Sequence, residues 1–396
     1  MGREGSWGDL SPGDLVIGSV YVHAPFCARR CFYCDFAVAV RRSGEPQSWA
    51  EAIGKELEIL GAEGLAPLAP SLATVYVGGG TPSLLGPTAM DRLRRALGPG
   101  RLEHPELEWT SEANPESLTL DVAEQWRRAG LTRLSLGIQS FHEGTLRWMG
   151  RLHGAGGARS AVAAARHAGF ENLSADLIFG LPSFLDRSWR TDLEATVALG
   201  VTHISLYGLT AEPDTPLGRS VRKGRTRIAD EDRYREEYLE AHRFLTQEGF
   251  VHYEVSNFAL PGFESRHNLA YWDGSPYLGL GNSSHSFLPP IRRWNLRAWD
   301  AYLERVHEGR LPVEDSEVVR GEAAQLEALW LGLRTSRGIP RDQLGSPAAC
   351  ALVAAWEAKG LASPVGPRIV LTPEGWLLLD RLAVELSEAL PTRTTA

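Results

Sequence analysis

The chain of 396 residues has only four cysteines, no excess of positive charge and no long apolar run. So few cysteines exclude a disulfide framework of the small secreted kind. The formal net charge of −8 excludes the basic surface that binds a phosphate backbone, so no nucleic-acid partner is expected. No apolar stretch approaches the ~18–20 residues that span a bilayer. The N-terminus carries Glu4, Asp9 and Asp14 where a secretion signal is basic and then apolar, which predicts a cytoplasmic location.

The order of apolar and polar segments predicts an α/β fold. Between residues 18 and 260, short β-branched or aromatic runs alternate with segments of helical periodicity, which is typical of parallel strands joined by helices. The predicted strands cover 19–26, 74–78, 107–112, 133–139, 172–179 and 203–209. Six such units in a row predict an incomplete parallel (β/α)6 barrel.

The alternation stops after residue 290. Residues 322–334 and 348–359 have helical periodicity, and a hairpin-like segment follows at 362–371, so a small C-terminal winged-helix-like domain is predicted. Its acidic residues outnumber its basic ones, which favours packing or partner docking over DNA binding. The predicted division is a tail over 1–17, the barrel over 18–260, a connecting region over 261–290 and the C-terminal domain over 291–396, with 289–293 as the linker.

Three of the four cysteines are crowded into one short segment. Cys27, Cys31 and Cys34 give the spacing CxxxCxxC directly after the first predicted strand. A cubane iron–sulfur cluster normally takes four thiolates, so three ligands would leave one iron open to a small molecule. The alternative is a zinc site in which His23 completes a Cys₃His tetrahedron. Cys350 stands apart in an alanine-rich stretch and is interpreted as a buried, inert thiol.

Polar and glycine residues also mark the ends of the other predicted strands, where the functional groups of parallel barrels lie. They are the run 78–81 (Gly-Gly-Gly-Thr) after the second strand, Glu112 at the end of the third, Gln139 at the end of the fourth and Asp176 within the fifth. The glycines would let backbone amides approach a ligand, and the threonine adds a hydroxyl. The alternatives are a turn that needs glycine for its conformation and an internal ion pair between Arg151 and Asp176.

Segment 21–36, YVHAPFCARRCFYCDF, resembles the signature of the radical S-adenosylmethionine superfamily, and its opening resembles the coproporphyrinogen oxidase-like branch. The resemblance implies a [4Fe–4S] cluster held by the three cysteines, which passes one electron to bound S-adenosylmethionine and cleaves it to methionine and a 5′-deoxyadenosyl radical. It also implies which residues contact S-adenosylmethionine. These are Tyr21, Tyr33, Gly79, Gly80, Thr81, Glu112, Gln139, Arg151 and Asp176.

Two features separate the members of that branch. The cluster motif of the oxidase continues to a further cysteine, where this chain has Phe36. Residues 267–272, HNLAYW, match the HNxxYW motif of the heme chaperones in the branch. His267 is then the candidate axial ligand of heme iron, and Tyr271, Trp272 and Tyr277 would offer aromatic faces to the porphyrin.

Alternatives to that ligand assignment come from the same region. His267 and Asn268 would equally cap a helix that begins near residue 269, with the aromatic residues in the core. His252 and His285 flank the motif, and each is a further candidate ligand, although a loop or core histidine is the commoner state.

The resulting hypothesis is a heme chaperone on a radical S-adenosylmethionine scaffold, which takes up heme and passes it to hemoproteins, including membrane-bound respiratory ones. No catalytic residue is assigned. The first alternative is an oxygen-independent coproporphyrinogen III oxidase, which decarboxylates its substrate oxidatively in porphyrin biosynthesis. The second is a zinc-stabilised interaction protein. The resemblance also allows a homodimer.

Overall fold

The computed structural model describes residues 16–41, 45–364 and 366–391; the predicted tail over 1–17 lies outside them up to residue 15. The described strands are β1 (Ser19–Ala24), β2 (Phe26–Cys27), β3 (Ala39–Val40), β4 (Thr74–Gly79), β5 (Glu108–Ala113), β6 (Arg133–Gln139), β7 (Asn172–Phe179), β8 (His203–Gly208), β9 (Val251–Glu254), β10 (Asn257–Ala259), β11 (Tyr277–Leu280), β12 (His285–Leu288), β13 (Ile291–Asn295), β14 (Val313–Val318), β15 (Ile339–Pro340) and β16 (Arg368–Ile369). The described α-helices are α1 (Pro46–Ala62), α2 (Ala89–Leu97), α3 (Leu120–Ala129), α4 (Glu143–Met149), α5 (Ala155–His167), α6 (Trp189–Ala198), α7 (Pro216–Arg222), α8 (Glu231–Gln247), α9 (Arg266–Trp272), α10 (Trp299–His307), α11 (Gly321–Leu333), α12 (Pro347–Ala358), α13 (Pro373–Trp376) and α14 (Leu379–Ala389).

A single large sheet organises the described residues, in the strand order β14-β13-β12-β11-β1-β4-β5-β6-β7-β8-β10-β9. The central strands from β11 to β8 are parallel neighbours, and the strands at both ends are antiparallel. This confirms the predicted incomplete parallel barrel, whose six strands lie where the sequence placed them. β11 is an additional parallel strand that the sequence did not predict. It contains Gly279, and strands generally disfavour glycine, so no strand signal is present in the sequence here. The packing requires glycine at this position, because a Cβ would lie 2.1 Å from the carbonyl oxygen of His285.

Side chains of the parallel strands alternate between an apolar and a polar environment, as the two-residue repeat of a strand requires. In β6, Leu134 and Leu136 are buried in the core formed with the surrounding helices, while Arg133 and Ser135 belong to the other face. The concave face of the barrel therefore carries polar and aromatic side chains. They are Tyr21, His23, Tyr76, Thr110, Glu112, Arg133, Ser135, Ser174, Asp176, His203 and Ser205.

The segment predicted to be a linker is part of the sheet. Pro289 and Pro290 form the turn between β12 and β13, and β13 pairs with β12 on one side and β14 on the other. The linker prediction for 289–293 is therefore wrong, because residues on both sides of the turn complete ladder hydrogen bonds. The domain limits at 260, 290 and 291 stay predictions. β14 forms an edge of the sheet and carries Glu314, Asp315 and Glu317.

A buried carboxyl group fastens the antiparallel strands to the barrel. Glu56 of α1 accepts hydrogen bonds from the amide of Gly281 at 2.8 Å, from Nδ2 of Asn295 at 2.6 Å and from the hydroxyl of Tyr302 at 2.8 Å. These donors belong to the loop after β11, to β13 and to α10. Burial outweighs these hydrogen bonds and raises the pKa of Glu56 to about 7.

The C-terminal region packs on the rest of the chain through α11, which lies against α9, and α13, which lies against α8. Both predicted helices are present, and the antiparallel bridge between Ala362 and Leu371 corresponds to the predicted hairpin. Within that segment, β16 pairs with β15, which lies outside the predicted hairpin. Arg334 pairs with the buried Glu254 of β9 at 3.1 Å, which joins this region to the end of the sheet. Cys350 is exposed on α12, so the prediction that it is buried is wrong.

The described residues contain no helix that is long and apolar enough to cross a membrane.

The raised pKa of Glu56 predicts how the stability of the fold depends on pH. Its pKa rises from an ordinary value of 4.5 to about 7 in the folded chain, so the folded state binds the proton more tightly than the unfolded state does. The resulting stabilisation is complete below pH 4.5 and is lost as the pH rises through 7. Glu56→Gln should flatten the dependence of unfolding free energy on pH in this window by roughly 3 kcal/mol, measured from thermal melts at several pH values. Glu58→Gln, an exposed change on the same helix, should keep the wild-type slope; an unchanged slope in Glu56→Gln contradicts the prediction.

Candidate functional site

The cysteine loop follows β1 at the carboxyl end of the barrel. Cys27 ends β2, which pairs with β3, and the amide of Cys34 donates to the carbonyl of Cys31 at 3.3 Å in the turn that follows. All three cysteines are free and half-buried. Burial raises the pKa of the Cys27 thiol to about 11, so this thiol holds its proton at neutral pH until a metal replaces it.

Two polar side chains approach the sulfur atoms. Oγ1 of Thr81 lies 3.4 Å from Sγ of Cys27, and Nη1 of Arg151 lies 3.8 Å from Sγ of Cys31. Hydrogen bonds to cluster sulfurs raise the reduction potential of an iron–sulfur cluster. Thr81 and Arg151 therefore lie beside the cysteine loop. Their assignment as contacts of S-adenosylmethionine stays a prediction.

The position of Arg151 decides between two interpretations of this residue. Its Nη2 donates to Oδ1 of Asn114 and to the carbonyl of Gly137, each at 2.7 Å. Asp176 instead accepts from the hydroxyl of Ser135 at 3.0 Å. The alternative of an Arg151–Asp176 ion pair is therefore wrong.

Asn114 is a site residue that the sequence analysis missed. Its amide also donates to Oγ1 of Thr81 at 3.1 Å, so it connects Thr81 with Arg151. Its position directly after β5, at the carboxyl end of the strand, was the signal that could have identified it.

The glycine run after β4 is used by the protein itself. The amide of Gly79 donates to Glu112 at 3.0 Å, that of Gly80 to the carbonyl of Ala24 at 2.8 Å, and that of Thr81 to the carbonyl of Phe26 at 2.7 Å. The expectation that these amides face a ligand is therefore wrong.

Close packing explains why the run consists of glycine. A Cβ on Gly79 would lie 2.3 Å from the ring of His23, and one on Gly80 would lie 2.8 Å from the backbone of Phe26. The assignment of Gly79 and Gly80 to the cofactor site stays a prediction. Because their amides already donate within the protein, any contact with the cofactor would have to come from their other backbone atoms.

Glu112 and Asp176 form an acidic pair in the barrel interior. Glu112 accepts from the hydroxyl of Tyr76 at 3.1 Å as well as from the amide of Gly79. Burial, reinforced by the charge of Asp176, raises the pKa of Glu112 to about 7. Burial raises the pKa of Asp176 too. Arg133, a buried residue that the sequence analysis passed over, offsets part of this charge repulsion.

Several buried polar atoms of the interior have no hydrogen-bond partner among the described residues. They are Oγ1 of Thr110, Nε of Arg133, Oε1 of Gln139 and Nε of Arg151. Gln139 also has a positive φ of 69°, a backbone conformation that residues other than glycine rarely adopt. Such strained conformations are concentrated at functional sites. A cavity of about 210 Å³ lies beside Cys31, Thr81, Asn114 and Arg151. Thr110 and Arg133 lie near the starts of β5 and β6, whereas Arg151 lies beside Cys31. The unpartnered Nε of Arg151 next to this cavity fits a polar cofactor held at the cysteine end of the barrel.

The two tyrosines predicted to contact the cofactor lie at different depths. Tyr33 lies in the cysteine loop beside Cys31, and burial raises the pKa of its hydroxyl. Tyr21 lies at the start of the barrel interior, where its ring stacks on Tyr76 at 6.2 Å and its hydroxyl meets Nδ1 of His23 at 3.1 Å.

His23 does not complete a zinc site in this structure. Its Nδ1 is hydrogen bonded to Tyr21, and its Nε2 donates to the carbonyl of Ala37 at 2.9 Å. Burial lowers its pKa to about 4. Because both ring nitrogens of His23 are hydrogen bonded, His23 has no free nitrogen with which to bind a zinc ion beside the three cysteines.

His267 lies at the opposite end of the barrel from the cysteines. Nδ1 meets Oγ1 of Thr74, the first residue of β4, at 2.7 Å, and Nε2 meets the hydroxyl of Tyr271 at 2.9 Å. The ring is 1% exposed and stacks on Tyr76 at 5.3 Å. Burial lowers its pKa to about 3.

The helix that carries His267 closes the amino-terminal end of the barrel. Ser265 caps α9 by accepting from the amide of Asn268, and Glu108 of β5 accepts from the amides of Arg266 and His267. The alternative that His267 and Asn268 cap a helix beginning near residue 269 is therefore wrong, because α9 begins at Arg266, Ser265 provides the cap, and both residues lie within the helix. In this conformation His267 presents no free nitrogen to a heme iron.

An open cavity of about 500 Å³ adjoins α9 on its outer side. Its walls combine aromatic rings with a histidine and an ion pair. Its lining includes Tyr271, Trp272, Tyr277, His285, Phe287, Arg292, Glu327 and Trp330. Tyr21 also lines this cavity, which therefore borders the barrel interior.

An incomplete parallel barrel with three cysteines on the loop after its first strand defines a radical S-adenosylmethionine protein, and residues 21–196 match the Radical SAM superfamily. Closer relatives are the proteins named "Heme chaperone HemW". That of Mycobacterium tuberculosis (strain ATCC 25618 / H37Rv) is 38% identical over 91% of this chain and 92% of its own length. That of Lactococcus lactis subsp. lactis is 36% identical, with 81% and 82% covered. The chain belongs to the HemW family of the radical SAM superfamily.

Among solved structures, coproporphyrinogen III oxidase (HemN) from Escherichia coli has a TM-score of 0.77 at 22% identity, with 96% of this chain and 92% of that chain covered. At this identity the likeness shows the shared fold. Membership of the superfamily implies a [4Fe–4S] cluster and S-adenosylmethionine.

The contacts of His267 predict a structural role that can be measured. His267→Ala would leave the buried hydroxyls of Thr74 and Tyr271 without partners and remove the ring packed on Tyr76, so unfolding free energy should fall by about 2–5 kcal/mol. Thermal or denaturant unfolding measures this change. His167→Ala, at the exposed end of α5, should change stability little. Equal stability of the two variants contradicts the position assigned to His267.

Proposed function

We propose that this chain is a heme chaperone, which binds heme and passes it to hemoproteins. The observation that carries the proposal is the 500 Å³ cavity beside α9, whose aromatic walls and histidine suit a flat, apolar macrocycle with a central metal. The names of the HemW relatives, which align over most of this chain, support the same function. The expected location is the cytoplasm.

The carboxyl end of the barrel is the proposed site of the iron–sulfur cluster and S-adenosylmethionine. Cys27, Cys31 and Cys34 would ligate three irons, with Thr81 and Arg151 donating to the sulfurs. The cluster, when bound and reduced, supplies an electron to the sulfonium of its ligand.

The barrel interior offers groups that match the rest of S-adenosylmethionine. The carboxyl groups of Glu112 and Asp176 are acceptors for an ammonium group or for ribose hydroxyls, and Oε1 of Gln139 is a further acceptor without a protein partner among the described residues. Tyr21 and Tyr33 add aromatic faces at the two ends of this region. No catalytic residue is assigned.

The rival function is that of a coproporphyrinogen oxidase, which the shared fold alone does not distinguish from a chaperone. Phe36, which stands where the oxidase motif has a further cysteine, is 64% exposed next to the cluster loop. A difference at this position changes the immediate surroundings of the cluster, and it favours the chaperone.

Cluster binding is tested by cysteine replacement. We expect anaerobically reconstituted wild type to contain four irons and four sulfides per chain. Cys27→Ser, Cys31→Ser and Cys34→Ser should each lose most of the iron, sulfide and brown absorbance. Cys350→Ser is the matched control, because this thiol is exposed on α12 and distant in sequence from the loop, and it should retain all three. A colourless wild type with stoichiometric zinc would instead support the interaction protein.

Heme transfer is tested with the reconstituted full-length chain. Protein loaded with one equivalent of heme should convert an apo-hemoprotein to its holo form. In the presence of a competing heme scavenger, this conversion should be faster than the conversion by free heme. The absorbance of the recipient measures both rates. In parallel, anaerobic incubation with coproporphyrinogen III, reductant and S-adenosylmethionine should yield no protoporphyrinogen. Failure to bind heme stoichiometrically, or formation of protoporphyrinogen, overturns the proposed function.

A further inference from the structure

The histidines near α9 differ in what their ring nitrogens already contact. Both nitrogens of His267 are hydrogen bonded inside the barrel. His252 is buried between Phe258 and Trp376, with Nδ1 3.0 Å from Nδ1 of His242 and Nε2 3.4 Å from the carbonyl of Val255.

His285 differs from both. It is exposed at the start of β12 and lines the 500 Å³ cavity. In residues 16–41, 45–364 and 366–391 no group forms a hydrogen bond with its imidazole. Of the three, His285 is thus the one whose ring nitrogens can bind a metal without breaking an existing hydrogen bond.

The sheet register fixes the ring in the cavity wall. His285 pairs with Trp294 across β12 and β13, and the imidazole stacks on that indole with centroids 5.6 Å apart and planes 25° apart. Phe287, two residues along, has its side chain on the same face and pairs with Tyr277 of β11. A histidine held against an indole, in line with two aromatic rings, is oriented before any ligand arrives.

The facing wall is also aromatic. Tyr271 and Trp272 come from α9, and Trp330 comes from α11. Tyr271 packs edge-on against Tyr277 at 4.5 Å, and the guanidinium of Arg334 covers Trp272 at 3.7 Å. The cavity is therefore a slot between the strands β11 and β12 on one side and the helices α9 and α11 on the other, with aromatic groups on both sides and open to solvent.

The charges around His285 favour its metal-binding form. Partial burial of the ring and the positive charge of Arg292 lower the pKa of His285, while the charge of Glu317 opposes them. The net shift favours the neutral imidazole, which is the form that binds a metal. Arg292 itself forms ion pairs with Glu317 at 2.9 Å and with Glu327 at 2.5 Å. These two carboxylates therefore already compensate the charge of Arg292.

We propose that heme binds in this slot with His285, rather than His267, as the protein ligand of its iron. The inference rests on the proposed chaperone function and deepens it by naming the ligand and the walls of the site. His267 then acts indirectly, because it anchors the helix that supplies Tyr271 and Trp272.

The test compares ferric heme binding by the reconstituted wild type with that of His285→Ala, His285→Gly and the surface control His167→Ala. Electron paramagnetic resonance distinguishes the heme signal from the iron–sulfur cluster, and titration gives the dissociation constant. We expect His285→Ala to lose the histidine-ligated signal and to bind heme about tenfold more weakly or worse. In His285→Gly, added imidazole should restore the wild-type signal, because it occupies the space of the missing ring. His167→Ala should match the wild type.

The outcomes separate the two levels of the proposal. If the wild type binds no heme, the chaperone function itself fails. If the wild type binds heme and His285→Ala gives the same signal and affinity, the ligand assignment fails while the chaperone function stands. A signal lost in His285→Gly that imidazole does not restore also overturns the assignment. Equal iron–sulfur content and melting temperature in all variants exclude misfolding as the cause of a loss.

Discussion

Burying a polar side chain without a partner costs free energy, and the concave face of this barrel buries a whole layer of polar side chains. Protein contacts satisfy part of this demand. Glu112 is held by Tyr76 and a backbone amide, and Ser135 donates to Asp176. Other atoms of the layer have no partner among the described residues. This difference makes the interior suited to a polar ligand, and the position of the three cysteines makes one end of it suited to a metal cluster.

The strands and the cysteine loop could be predicted from sequence because their signals are local. Alternating apolar residues fix the strands, and CxxxCxxC fixes the loop at the end of the first strand. Two short signals, Phe36 after the cluster motif and HNxxYW at 267–272, predicted the branch of the superfamily to which the chain belongs. The HemW relatives confirm that prediction. The seventh parallel strand, β11, was missed because one of its four residues is Gly279, which strands disfavour. Glycine is required there by the closeness of the β12 backbone, which the sequence does not reveal.

The roles of individual residues were harder to predict because they depend on contacts between distant parts of the chain. The HNxxYW motif placed His267 in a functional segment, but its partner Thr74 lies 193 residues away. Likewise, the amides of the glycine run are used by β1 and Glu112, which no local pattern reveals. The position of Asn114 after β5 could have marked it as a candidate, but its contact with Thr81, like the effect of Arg133 on Glu112, joins neighbouring strands and appears only once the strands are aligned.

The acidic strand β14 has a consequence for how molecules of this protein can meet. It forms one edge of the sheet, and Glu314, Asp315 and Glu317 lie within its six residues. If a second molecule extended the sheet by aligning its own β14 antiparallel to this one, carboxylates would face carboxylates, and their repulsion would oppose the new backbone hydrogen bonds. The acidic strand thus disfavours joining two sheets through a pair of β14 edges.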